Sequence, residues 1–146
     1  MKYRELGNSG INVSEIGLGC MSFGSRLTLE ESFERIDEYV EVGGNFLDTA
    51  NIYGRYGTNN KTGGSEEILG RWLKKSGKRN NVIVASKVGF PYPGITGGTS
   101  KEQIKEECEK SLKRLEVEYL DLYYLHMDDF TTPMEESLGA MQELLK

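Results

Sequence analysis

The 146-residue sequence contains few of the residues that build disulfide frameworks and metal centres. It has two cysteines, Cys20 and Cys108, and a single histidine. The cysteines are widely separated, and no C-x-x-C motif occurs. Because both types of site need clustered cysteine or histidine ligands, the sequence predicts no metal site and no disulfide. We expect both cysteines to pack as free thiols.

Long hydrophobic runs and an excess of positive charge are also lacking. No stretch approaches the roughly 18 apolar residues that a membrane-spanning helix requires, and the N-terminus has no apolar segment typical of a secretion signal. The net charge is −5, with no basic patch of the kind that binds nucleic acid. These absences favour a cytoplasmic protein without nucleic-acid or membrane partners.

A strand followed by a helix is the unit that the sequence repeats. Four segments have the composition of buried strands, namely residues 15–20, 45–50, 82–87 and 120–126. Such alternation predicts a parallel sheet with helical crossovers. Two short segments around "GNSG" add an N-terminal β-hairpin. Periodicity alone leaves open whether the sheet is part of a barrel or is doubly wound with helices on both faces.

Each predicted strand is followed by an amphipathic segment with end signals. The signals are Thr28 with Glu31 before the first helix and Gly43-Gly44 after it, Ser65 and Gly77 around the second, Ser100 with Gln103 before the third, and Thr132 as cap with Pro133 at the first position of the fourth. The fourth helix has the apolar stripe Met134, Leu138, Met141 and Leu145. We interpret residues 1–146 as one domain.

Ionisable side chains lie where three of these strands end. Asp48, Lys87 and His126 close the second, third and fourth predicted strands, and Tyr53 follows Asp48 on a short loop. The carboxyl ends of parallel strands meet on one face, so the four side chains are expected to share a site. Each also has a structural interpretation: Asp48 as a turn cap, Lys87 reaching solvent, His126 packed near the surface, and Tyr53 as one of the eight tyrosines of the chain.

The chemistry of the four residues matches a carbonyl reduction. A phenol is a poor proton donor at neutral pH, but a nearby ammonium stabilises the phenolate and lowers the phenol's pKa, and a carboxylate holds the ammonium in place. Tyr53, Lys87 and Asp48 supply these three groups, and His126 could orient a carbonyl oxygen. No side chain delivers hydride, so a reduction would require a nicotinamide cofactor.

The motifs "FLDTANIYG", "GGSEEILGRWLK", "VIVASKVG" and "SLKRLEVEYLDLYYLHMDD" resemble the N-terminal half of the aldo-keto reductases, NAD(P)H-dependent enzymes with a (β/α)8 barrel. The resemblance implies a hairpin plus four βα units, with NADPH or NADH as cofactor and a small aldehyde or ketone as substrate. It makes Tyr53 the general acid, Lys87 and Asp48 its pKa-lowering pair, and His126 the group that positions the substrate. It also implies that Gly19, Cys20, Met21 and Asp48 lie near the nicotinamide.

Length is where the sequence departs from this family. A complete barrel takes about 250 residues. We therefore expect a truncated form that keeps the catalytic residues and lacks most of the cofactor site. Two alternatives remain: a non-catalytic binding or regulatory module, and a lyase that forms a Schiff base on Lys87.

An incomplete barrel should also expose surface that a closed barrel covers. Its first and last strands would be open edges, and inward side chains such as Leu18, Leu47 and Tyr124 would lack an opposite wall. We therefore expect self-association. The glycine-rich loops 54–64 and 89–98 are expected to line the substrate pocket.

Overall fold

The computed structural model describes residues 1–54, 62–91 and 98–145. The strands are β1 (Tyr3–Glu5), β2 (Asn12–Ser14), β3 (Leu18–Gly19), β4 (Phe46–Asp48), β5 (Ile83–Val88) and β6 (Leu122–Leu125). The helices are α1 (Leu29–Glu41), α2 (Gly64–Ser76), α3 (Lys101–Leu115) and α4 (Met134–Leu144). A short 3-10 turn, Arg79–Asn81, precedes β5.

The sheet has the predicted topology. Strands β3, β4, β5 and β6 pair in sequence order, and every neighbouring pair is parallel. The hairpin of β1 and β2 forms a separate antiparallel pair. It meets the start of β4, because the Ser14 amide donates to Asn45 Oδ1 at 2.7 Å. The hairpin therefore lies against the N-terminal end of the sheet.

All four helices pack on one face of the sheet. Leu47 of β4 and Val84 of β5 share a buried cluster with residues of α1, α2 and α3. Val88, on the same face of β5, packs with Ile104 of α3 and Ala140 of α4. Since side chains alternate along a strand, Asp48, Lys87 and Tyr124 lie on the opposite face. The helices on one face and the polar residues on the other are the arrangement of half a barrel.

This alternation corrects one expectation about the inner face. Leu47 is fully buried on the helix side, and Leu18, which pairs with it, packs against the same cluster. Of the three side chains that the sequence placed inside the barrel, only Tyr124 lies on that face.

Helix boundaries follow the end signals closely, with two differences. Thr28 and Glu31 form the predicted capping box, and Ser100 caps α3 by accepting from the Gln103 amide. Helix α2 begins two residues earlier than a cap at Ser65 would place it, because its N-cap is Gly63, which makes no side-chain cap bond. Helix α4 begins one residue late: Pro133 is its N-cap, and the Thr132 hydroxyl donates instead to Asp129 Oδ2 at 2.6 Å.

Membrane-spanning helices and clusters of metal ligands are both absent from the part of the chain that the structure describes. No helix among residues 1–54, 62–91 and 98–145 is long and apolar enough to span a membrane. Within the same residues, no three histidine, cysteine, aspartate or glutamate side chains group in a way that could hold a metal ion. Both cysteines are free and buried.

Candidate active site

The four side chains singled out from the sequence lie together at the carboxyl ends of β4, β5 and β6. Asp48 is the last residue of β4, Lys87 is the penultimate residue of β5, and His126 directly follows β6. The His126 amide donates to the Val88 carbonyl at 2.6 Å, which keeps His126 in line with the sheet. An open cleft of about 310 Å³ is lined by Asp48, Lys87, His126 and their neighbours Tyr124 and Leu125.

Lys87 is the centre of the site. Its Nζ donates to Asp48 Oδ2 at 2.8 Å, to the Thr49 carbonyl at 2.8 Å and to the Tyr53 hydroxyl at 3.3 Å. A lysine ammonium has three N–H donors, so these contacts use all of them. The side chain is mostly buried, and the carboxylate of Asp48 compensates its charge. The structural interpretation of Lys87, as a side chain that reaches solvent, is therefore wrong.

Tyr53 is brought to Lys87 by a loop that folds back over the end of the sheet. The Thr49 amide donates to the Ala85 carbonyl at 2.9 Å, and the Asn51 amide donates to the Lys87 carbonyl at 3.3 Å. The loop then meets the first turn of α2 at Gly54, where a Cβ atom would lie 2.4 Å from the Ser65 amide nitrogen. Only glycine fits this contact and its φ of 82°. This explains why a glycine follows Tyr53.

His126 lies between two aromatic rings. Its imidazole is edge-on to the Tyr53 ring, with centroids 5.7 Å apart, and its centroid is 5.3 Å from that of Phe90. Burial lowers the pKa of His126 below its ordinary value of 6.5, and the Lys87 ammonium lowers it further, while Asp48 partly opposes the shift. The imidazole is therefore neutral at pH 7 and has one N–H to donate.

Because His126 is the only histidine, this environment can be tested on one NMR signal. We expect the imidazole of the chain to titrate below pH 6.5. Lys87→Met should raise the midpoint by removing a nearby cation, and Asp48→Asn should lower it by removing a nearby anion. Lys74→Met, which removes an exposed lysine paired with Glu116 on the helix side, is the matched control. A midpoint unchanged by all three substitutions would contradict the geometry.

The same shift affects stability. The pKa of His126 is lower in the folded protein than in the unfolded chain, so the unfolded chain binds more protons between the two values. The stabilisation from neutral His126 is therefore complete above pH 6.5 and is lost as the pH falls toward the folded-state pKa.

The residues expected near a nicotinamide differ in exposure. Gly19 pairs with Asp48 and therefore lies on the cleft face of the sheet, with no atom within 4 Å of the position a Cβ would take. Met21 is 55% exposed. Cys20 is fully buried, its amide donates to the Asp48 carbonyl, and its carbonyl accepts from the Ser65 hydroxyl. Of the expected set, Gly19, Met21 and Asp48 are accessible to solvent, whereas Cys20 belongs to the core.

Three residues in or next to this site were not predicted as part of it: Tyr124 was expected only as an inward side chain, and Phe90 and Asn51 were not singled out. Tyr124 lines the cleft two residues before His126, a spacing that in a strand places both on one face. Phe90, three residues after Lys87, contacts the imidazole. Asn51 had no signal beyond being a polar residue within the loop motif. Of the two loops expected to line the pocket, residues 55–61 and 92–97 lie outside the described residues.

Comparisons with known proteins agree on one family. A family model described as the aldo/keto reductase family matches residues 15–146. Aldo-keto reductase str7 of Strobilurus tenacellus is 38% identical, over 98% of this chain and 41% of its own length. A probable voltage-gated potassium channel subunit beta of Arabidopsis thaliana is 33% identical, over 99% of this chain and 43% of its own.

A solved structure gives the same result at the level of the fold. The holo form of an aldo-keto reductase from Bacillus halodurans superposes with a TM-score of 0.84 at 40% identity, covering 99% of this chain and 46% of that one. This match confirms the barrel-type prediction. The chain spans less than half the length of these relatives.

Proposed function

Because the chain belongs to the aldo/keto reductase family, we propose that its site reduces the carbonyl group of an aldehyde or ketone to an alcohol, with NADPH as the cofactor. The observation that carries this proposal is the contact of one ammonium, that of Lys87, with both the Asp48 carboxylate and the Tyr53 hydroxyl. We further propose that the second half of the barrel, which the relatives contain, is needed for full activity.

Tyr53 is the proton donor in this proposal. Its hydroxyl gives a proton to the carbonyl oxygen as that oxygen gains negative charge, and the phenolate left behind lies 3.3 Å from the Lys87 ammonium. Asp48 and the Thr49 carbonyl hold that ammonium, so no reorganisation is needed during proton transfer. Neutral His126, beside the Tyr53 ring, donates its N–H to the carbonyl oxygen and orients it.

The cofactor would supply the hydride. Gly19, Met21 and Asp48 are the residues of this chain that would contact it, because Asp48 lines the cleft, Gly19 pairs with Asp48, and Met21 is exposed two residues after Gly19. They could hold only one end of a dinucleotide. We therefore propose that the chain alone binds NADPH weakly.

The experiment that tests the function is consumption of NADPH in the presence of a generic aldehyde such as 4-nitrobenzaldehyde. It should be run on the 146-residue chain and on the chain completed with the C-terminal half of a relative. We expect turnover in the completed chain and little in the shorter one. No aldehyde-dependent consumption in a folded, completed chain would reject the proposal.

A Schiff-base reaction at Lys87 is the alternative that this assay must exclude. The geometry disfavours it, because an amine nucleophile must lose its proton and Lys87 is bonded through all three N–H groups, two of them to oxygens that stabilise its charge. Borohydride trapping with the same aldehyde should therefore leave no adduct on Lys87. A trapped adduct would favour the lyase.

A second candidate is a binding or regulatory module, and one relative favours it. The potassium channel subunit beta shows that a protein 33% identical to this chain is named for a partner rather than for a reaction. In this reading the site would bind NADPH without turnover. Cofactor binding in the completed chain with no reduction of any aldehyde tested would support this candidate over the enzyme.

We also propose that the chain self-associates. Strands β3 and β6 end the four-stranded sheet, and Tyr124 on its inner face is only partly buried. On α4 the small residues Ser137 and Ala140 are buried, whereas Met134, Leu138 and Leu145 are 51%, 57% and 87% exposed. Such exposed apolar surface next to an open edge favours association.

Size-exclusion chromatography with light scattering tests this prediction. We expect the chain to elute as a dimer or larger species, and Leu138→Glu to shift it toward the monomer because a charge opposes burial. Glu135→Gln, on the first turn of the same helix, is the control. A monomer at all concentrations would contradict the prediction.

A further inference from the structure

Asn51 is a buried polar residue within the loop that carries Tyr53. It lies between Asp48 and Tyr53 in the sequence and is 1% exposed. Its backbone amide donates to the Lys87 carbonyl at 3.3 Å, and its side-chain Nδ2 donates to Glu107 Oε2 at 2.8 Å. Asn51 thus connects the loop both to β5 at Lys87 and to the helix layer behind the sheet.

Glu107, the partner of Asn51, is a carboxylate with no exposure to solvent. It lies on the buried face of α3, 56 residues from Asn51 in the sequence. Its other oxygen, Oε1, accepts from Lys110 Nζ at 3.0 Å, one turn further along the helix. Lys110 compensates the charge from within α3, whereas the bond to Asn51 is directed at the loop.

We propose that Asn51 and Glu107 form a positioning pair that fixes the Tyr53 loop against β5, so that the Tyr53 hydroxyl stays within reach of Lys87. The consequence for catalysis rests on the proposed function; the positioning itself does not. Neither residue touches the cleft, so both act on the site through Tyr53.

The packing explains why this one hydrogen bond matters for the loop. Asn51 Oδ1 is buried without a hydrogen-bond partner among the residues that the structure describes. If Glu107 Oε2 were removed, neither polar atom of the Asn51 amide would be bonded, and keeping it buried would cost free energy. The loop would then gain by moving Asn51 toward solvent. Because Tyr53 is two residues further along the same loop, its ring would move as well.

The distance between the Tyr53 and His126 rings reports this movement, and measuring it does not require catalytic activity. In the 146-residue chain, the Tyr53 and His126 rings are close enough to give a nuclear Overhauser effect (NOE), and the single histidine makes the signal easy to assign. We expect Glu107→Leu to remove most of this NOE and to make the Tyr53 amide exchange about tenfold faster. Glu107→Gln should restore both, because its amide oxygen still accepts from Asn51.

Glu106→Leu is the matched control. Glu106 is the neighbouring carboxylate, is largely exposed and also bonds Lys110, at 2.8 Å, but it does not contact Asn51. It should leave the NOE and the exchange rate at their wild-type values. If Glu106→Leu reproduced the loss, or if Glu107→Leu left the NOE intact, the positioning role would be overturned.

Two further measurements test the role of the Asn51–Glu107 pair. If Glu107→Leu does not fold, Asn51→Ala removes the same hydrogen bond and leaves the Glu107–Lys110 pair, and retention of the ring NOE there would overturn the proposal. In the completed chain, Glu107→Leu should lower kcat and leave KM for the aldehyde unchanged. If the completed chain has no reductase activity, the NOE still decides the inference, so the two proposals fail separately.

Discussion

Tyr53→Phe, in the chain completed with its C-terminal half, is expected to lower the rate of carbonyl reduction by roughly 10²- to 10⁴-fold. The substitution removes only the hydroxyl that lies 3.3 Å from Lys87 Nζ. The ring remains, and with it the edge-on contact with His126 and the contact with the Lys87 ammonium 4.6 Å from the ring centroid. Because the hydroxyl acts in proton transfer, the affinity for NADPH should change by no more than about twofold.

Steady-state kinetics together with a fluorescence titration of NADPH measure both parts. Tyr3→Phe is the control, because it removes a tyrosine hydroxyl that bonds the Gly43 carbonyl in the hairpin region, away from the cleft. It should leave the rate unchanged. Undiminished turnover in Tyr53→Phe would rule out Tyr53 as the acid.

The largest expected effect on stability comes from Arg114→Met. Glu66 of α2 is fully buried and accepts from the Ser86 hydroxyl at 2.5 Å and from Arg114 Nε at 2.6 Å. Removing the guanidinium leaves a buried carboxylate without its counter-charge, which typically costs about 3 kcal/mol or more of the free energy of unfolding. Urea denaturation followed by circular dichroism measures the loss.

A neighbouring arginine provides the control for this prediction. Arg71 is exposed and lines the same surface groove as Arg114. Arg71→Met should change the free energy of unfolding by less than about 0.5 kcal/mol. The double variant Glu66→Gln with Arg114→Met should be more stable than Arg114→Met alone, because the uncompensated charge is gone. Equal effects of the two arginine substitutions would show that Glu66 is not the cause.

The order of the elements and the position of the site could be read from the sequence because both depend on local signals. The strand–helix period predicted four parallel strands, and strand ends are where ionisable residues stand out against apolar runs. Asp48, Lys87 and His126 were identified in this way, and the structure places them together with Tyr53.

The two faces of the sheet were harder to assign. Short strands of two or three residues carry too little alternation to show which side is buried, so Leu18 and Leu47 were expected on the inner face and lie under the helices. The stripe on α4 is a similar case. Periodicity grouped Met134, Leu138, Met141 and Leu145 as one stripe, but only Met141 packs against the core, and the other three side chains are exposed.

Contacts between elements that are distant in the sequence could not be predicted from it. Asn51 and Glu107 are 56 residues apart, and no sequence motif contains both of them. Glu66 and Arg114 are 48 residues apart and look like ordinary surface charges of two amphipathic helices. Their pairing depends on how α2 and α3 pack, which is known only once the helices are placed against the sheet.

The central claim is tested most directly by following a labelled hydride from the cofactor into the alcohol product. The completed chain would be given NADPH with deuterium in its transferable position and an aldehyde, and the alcohol would be analysed by mass spectrometry and NMR. The account predicts one deuterium on the carbinol carbon, formed rapidly by the wild type and far more slowly by Tyr53→Phe. An alcohol without deuterium, or equal rates of labelling in the two proteins, would contradict the claim that this site reduces carbonyls with Tyr53 as the proton donor.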